Sequence, residues 1–166
     1  MNSRPRGPGC MESEGTKVTY VEDVEIVFRS VPDHPSMFKT ESDGRPRFSS
    51  SAFNDRERKP SVDRATLTDG HAASSCRMPE SGVVSLIVAR ARAIQTVKTM
   101  DSKQCVVFNH EVDVVHVPLD ENYAHAEVQA SPALQNDSVF KRLKEALCRL
   151  AEAQGWAYLP GSQRIV

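Results

Sequence analysis

The chain has 166 residues, enough for one hydrophobic core, and its 21 basic against 22 acidic side chains leave a formal net charge of -1. No whole-molecule field exists to hold nucleic acid or an anionic membrane surface, so any such contact must be local. Cys10, Cys76, Cys105 and Cys148 stand far apart without a Cys-x-x-Cys pair, which excludes a disulfide framework and leaves reduced thiols as the expectation.

In chain order, residues 1–16 are rich in Gly, Pro, Ser and charge and are expected to form a disordered tail before one folded domain, 17–166. The first residues lack the apolar centre of a secretory signal and no later run approaches membrane-spanning length, so a cytoplasmic protein with no membrane partner is expected. Between Val18 and Arg29, the residues Val24, Ile26 and Phe28 alternate with Glu25 and Arg29, the period of a strand with one buried face, stopped by Pro32.

Residues 32–64 carry Pro32, Pro35, Pro46 and Pro60, so regular structure is expected only around Ser50–Phe53, with Phe38, Phe48, Phe53 and Val62 pinning the loop to the body. A polar stretch, Thr66–Ser81, leads into Gly82–Val88, a β-branched run that reads as a central strand, and Ala89–Val97 reads as a short helix. Cys105–Phe108 reads as a further strand.

The segments Glu111–Val117 and Tyr123–Gln129 read as a hairpin joined by Pro118–Asn122. From Ser138 to Gln154, Phe140, Leu143, Leu147, Leu150 and Ala151 recur at helical spacing, with Asp137 or Ser138 as N-cap, Glu145 and Arg149 as a four-residue pair and Gly155 as terminator. Strands without regular strand-helix alternation imply an α+β fold, a mixed or antiparallel sheet with the C-terminal helix packed on one face.

Metal binding is the first chemistry to weigh, since His110, His116 and His125 lie near Glu111, Asp113 and Glu127. Hairpin register decides it. Pairing that puts Val112, Val114 and His116 on one face with Ala124, Ala126 and Val128 sends His125 and Glu127 to the other side with Asp113. A one-residue slip would unite His116 and His125 but forfeit burial worth roughly 1.5–3 kcal/mol per large side chain. No metal is therefore expected, and no closely spaced Cys or His pairs favour one.

His125 and Glu127, two apart on one strand face, could act as an acid/base pair under a covering pocket; a solvated face accounts for them equally. No Gly-x-Ser-x-Gly turn and no glycine-rich phosphate cradle occurs, so neither a nucleophile elbow nor a nucleotide cofactor is called for. Cys105 and Cys148 sit among apolar residues as packing, which leaves Cys76, in a polar loop, as the thiol expected to react.

The stretch from Gly44 to Asp63 is the most distinctive. Arg45, Arg47, Arg56, Arg58 and Lys59 are interleaved with Phe48 and Phe53, but Asp43, Asp55 and Glu57 cancel much of their field, so nucleic acid is not the expected partner.

Taken together, Gly44-Arg-Pro46, Ser50-Ser-Ala-Phe53, Ser61-Val-Asp63, Asn122-Tyr-Ala-His-Ala126 and Leu150–Trp156 with Tyr158 and Pro160 resemble the motif string of a family of small bacterial proteins of unassigned function. That family carries Pro where this chain has Tyr123. The resemblance implies no catalytic residue, only a place: Arg29, Ser50, Ser51, Phe53, Ser61, Asp63 and His125 converging through the fold.

Two functions fit these residues. The first is a binding or interaction module whose 44–63 loop presents arginines and serines to a partner protein or a small anionic ligand. The second is a small transferase, because Arg29, the serines 49–51 and Glu127 broadly resemble the arrangement of ADP-ribosyltransferases, which implies a nicotinamide nucleotide as substrate.

Overall fold

A computed structural model describes residues 19–94, 98–100 and 106–165, with the backbone alone at 98–100 and 106–109. The expected tail 1–16, the end of the expected helix at 95–97, Cys10 and Cys105 lie outside the described residues. The strands are β1 (Ile26–Val31), β2 (Phe38–Thr40), β3 (Pro46–Phe48), β4 (Ser61–Arg64), β5 (Gly82–Ile87), β6 (Lys98–Met100), β7 (Val106–Asn109), β8 (Glu111–His116), β9 (His125–Ser131) and β10 (Trp156–Tyr158). Two α-helices, α1 (Val88–Arg92) and α2 (Asp137–Gln154), and four 3-10 turns complete the described elements.

Six strands form one sheet in the order β10-β5-β1-β4-β9-β8, and β2-β3 and β6-β7 form separate two-stranded ribbons. Every described strand pair is antiparallel. The fold is thus α+β, a six-stranded antiparallel sheet carrying the C-terminal helix on one face.

The helix forms as its stripe dictates: Phe140, Leu143, Leu147 and Ala151 are buried against Val84, Leu86 and Val62 in the core. Its N-cap is Asn136, not Asp137 or Ser138; the Asn136 side-chain oxygen accepts the Val139 N–H at 3.0 Å. Asn matches Asp and Ser in cap strength, so residue type alone could not choose among three adjacent candidates. Gly155, at φ 75°, ends the helix in a conformation that favours glycine.

Hairpin register follows the apolar match. Val114 opposes Val128 and His116 opposes Ala126, so Val112, Val114, Ala126 and Val128 line one buried face. The histidines are separated as that pairing requires.

The phase of β1 differs from the sequence expectation. Val24 is 83% exposed and Ile26 also faces solvent, whereas Val27 and Val31 are fully buried and Glu25 is only 9% exposed. Phe28 is buried on the opposite face, where the 3-10 turn Ala72–Ser75 lies against β1 and β5. A central strand covered on both sides does not show a simple two-residue alternation.

Regular structure in 32–64 also exceeds expectation, since β2, β3 and β4 all fall there. Three- and four-residue strands are too short for a periodicity to be read.

Candidate functional site

The 44–63 segment is held from beneath. Glu41 N–H donates to Arg45 O and Gly44 N–H to Glu41 O, both 2.9 Å, closing the β2-β3 ribbon; Gly44 supplies the turn's φ of 82°. Phe48 and Phe53 are buried as expected, and the edges of Phe38 and Phe48 meet Trp156 with ring centres 5.0 and 4.9 Å apart. The helix contributes two more tethers: Glu152 accepts the Phe48 N–H at 3.0 Å, and the Cys148 thiol donates to Ser49 O at 3.1 Å.

Arg29 closes the structure from the sheet side. Its Nε donates to Ala52 O at 3.1 Å, Nη1 to Ser61 O at 2.9 Å and Nη2 to Asn54 O at 2.7 Å. Burial, and then Arg77, push its guanidinium down to about 10, so it stays charged at neutral pH. All three nitrogens are directed at backbone carbonyls, so Arg29 fixes the distance between the serine turn and β4. Beyond it, Lys144 Nζ donates to Asn54 Oδ1 at 2.6 Å and Arg58 Nε to Asp137 Oδ1 at 3.1 Å, tying the loop to the start of α2.

The sequence-derived site residues fall into two groups. Ser61 opposes Glu127 and Asp63 opposes His125, which places these four on one face of β4-β9. Asp63 accepts the Asn122 amide at 2.8 Å, Glu127 accepts the Gln129 amide at 2.8 Å, and His125 Nδ1 donates to Val117 O at 2.6 Å. His125 is 4% exposed, a buried side chain bracing the β8-β9 connection rather than part of a solvated face.

Arg45, Arg47 and Ser50 belong to the second group. They line an open groove of about 630 Å³ between the β2-β3 ribbon and α2, facing Glu145 and Arg149. Asp43 lies 3.6 Å from Arg45 and Glu41 lies 3.7 Å from Arg47, exposed pairs that contribute little to stability. Ser51 is half-buried within the turn, where its carbonyl accepts the Asn54 N–H at 3.1 Å, and Phe53 is core. Arg29 touches both the turn and β4, and so joins the two groups through the backbone.

The thiols are quiet. Burial, with Glu152 and Glu145 adding to it, pushes Cys148 at the groove floor up to about 12. Cys76, the thiol expected to react, donates to Ser81 O at 3.3 Å and is raised by burial against the pull of Arg164, so its thiolate is disfavoured.

Sequence reasoning missed a buried polar cluster on the core side of the sheet. Arg64 Nε and Nη2 donate to the two Glu25 carboxylate oxygens at 2.9 and 2.7 Å, with both side chains almost wholly buried. Burial alone would raise the Glu25 carboxyl, but the Arg64 hydrogen bonds, the Glu22 N–H and Thr66 outweigh it and hold it below its ordinary value. Nearby, both ring nitrogens of His116 are buried without a hydrogen-bond partner among the described residues, and Tyr123 meets the ring edge-on at 5.3 Å. Burial, then Arg64, lower His116. An inward-pointing Glu25 would have been a signal only alongside its partner, 39 residues away.

Among the described residues no group of three or more His, Cys, Asp or Glu side chains could hold a metal ion, and no helix is long and apolar enough to cross a membrane. No protein-family model matches the chain, and neither a curated protein nor a solved structure matches it.

Proposed function

We propose that this protein is a binding module that receives a polypeptide segment of mixed charge along the groove between β3 and α2. The supporting observation is the tethering of the groove wall. Glu152 and Cys148 hold the backbone of Phe48 and Ser49 in the wall, and Arg29 that of Ala52, Asn54 and Ser61 behind it, while Arg45, Arg47, Glu145 and Arg149 stay exposed above. A charged surface on a fixed backbone orders few groups on binding, so less interaction energy is lost to entropy. The alternation of arginines with Glu41, Asp43 and Glu145 favours a partner of both charges and gives specificity by register.

The transferase reading needs Arg29 and Glu127 available to a nicotinamide nucleotide. Arg29 instead serves three carbonyls and Glu127 its neighbour Gln129, which favours the binding module.

Peptide-display selection against the wild type, counter-selected with an R45E/R149E double variant, tests the proposal. Enriched peptides are expected to carry both charges, bind the wild type, and weaken by at least about tenfold on the charge-reversed groove. Peptides that bind both proteins equally would remove the groove as the site. A thermal-shift panel of nicotinamide and adenine nucleotides tests the rival, since a true ligand at about 100 times its Kd adds roughly 2.7 kcal/mol.

A further inference from the structure

On the ribbon β2-β3, Lys39 and Arg47 are direct cross-strand partners. Phe38 opposes Phe48 on the face packed against Trp156, so alternation sends Lys39 and Arg47 to the outer face. Directly opposed like charges destabilise an antiparallel pair. Elsewhere the ribbon pairs its charges: Arg45 with Asp43, and Arg47 with Glu41 at 3.7 Å. Lys39 has no ion-pair partner among the described residues.

These two cations edge a recess of about 210 Å³ whose apolar wall is Pro35, Phe38 and Phe48 and whose polar wall is Ser36 and Ser49. The Ser49 hydroxyl donates to Ser36 O at 2.6 Å and the His34 ring lies 2.7 Å from the Ser36 hydroxyl, so hydrogen bonds fix the polar wall. From these observations we infer a phosphoryl-binding subsite on the outer face of the ribbon, sharing Arg47 with the helix-side groove, in which an oxyanion bridges Lys39 and Arg47. Arg47 presents a planar fork and Lys39 a point charge, the two side-chain types that phosphate recognition combines. A dianion seated between them turns the repulsion of the empty ribbon into two attractive pairs, so the strained pair is the source of affinity.

Isothermal titration with inorganic phosphate at constant ionic strength, repeated with acetate, tests the subsite on wild type, K39A and K39R. Phosphate is expected to bind the wild type, to weaken at least about tenfold on K39A, and to recover on K39R. Acetate is expected to bind more weakly than phosphate at the same pair. Melting at low salt supplies the second measurement: K39A is expected to raise the Tm of the free protein, and phosphate to raise the Tm of wild type alone. Phosphate binding unchanged in K39A, absent in wild type, or matched by acetate would overturn the inference, whatever the peptide selection returns for the groove.

Discussion

Removing the Arg29 side chain tests whether this residue fixes the serine turn against β4 or waits for a ligand. In Arg29→Ala, the carbonyls of Ala52, Asn54 and Ser61 each lose a charged donor at 2.7–3.1 Å. A hydrogen bond to a charged group contributes about 1.5–3 kcal/mol, so three would give a gross loss of roughly 4.5–9 kcal/mol. The net is smaller, because the same burial that lowers the guanidinium to about 10 makes the folded state bear part of its desolvation. A destabilisation of about 3–5 kcal/mol follows, a large fraction of the 5–15 kcal/mol typical of a whole domain.

Urea unfolding followed by the fluorescence of Trp156, the one tryptophan in the chain, reads this, because its ring packs on Phe38 and Phe48 of the ribbon that leads into the turn Arg29 holds. Arg29→Lys keeps the charge but cannot span three divergent carbonyls, and should recover no more than about half of the loss. If Arg29→Ala unfolds within about 0.5 kcal/mol of wild type at the same m-value, the surface-substitution range, the tether argument is refuted.

Three further substitutions probe the rest of the architecture. Glu25→Gln leaves Arg64 buried without its carboxylate and should cost about 3–5 kcal/mol by urea unfolding. Because Glu25 is lowered in the folded state, its contribution is present above its ordinary carboxylate range and lost as pH falls through the folded value, so the variant should show a flatter acid limb. His116→Phe removes two unpartnered buried nitrogens and should match or exceed wild-type stability at pH 7. The folded state disfavours His116 protonation, so wild-type stability should fall as pH drops below about 6.5, the ordinary His value, and the variant should lose that component; an unchanged slope would refute it. Gly82→Ala puts a Cβ 2.5 Å from the Trp156 ring and 3.1 Å from Pro160, which should cost about 1–3 kcal/mol and shift Trp156 emission; wild-type emission and stability would show that β10 moves freely.

What could be read from the sequence was what depends on near neighbours. The α2 stripe needs only residues three and four apart, and the β8-β9 register only the matching of valines with alanines across one connection. Phe48 and Phe53 were legible as anchors because large aromatic residues in a polar stretch have little reason to be there except burial. The phase of β1, the pairing of Glu25 with Arg64 and the destination of the Arg29 donors were not legible. The last two are set by partners 23 to 39 residues away, and the phase of β1 by the Ala72–Ser75 turn, farther still; no local pattern encodes these approaches.

The same distinction sorts the residues first selected as a site. Arg29, His125, Asp63 and Glu127 are polar residues in strands, a position that reads as chemistry when the fold is unknown. Each makes a hydrogen bond to backbone or to a nearby amide, which commits that atom to holding the fold. Arg45, Arg47 and Lys39 carry the opposite signature, since their only ion pairs are long and exposed, or absent among the described residues. Groups with unspent hydrogen-bonding capacity on a backbone that cannot relax are where recognition gains most per contact. On the proposed reading, recognition falls to the ribbon, while the β4-β9 face, with its histidine and two carboxylates, directs its hydrogen bonds to Val117, Asn122 and Gln129 around its own strands.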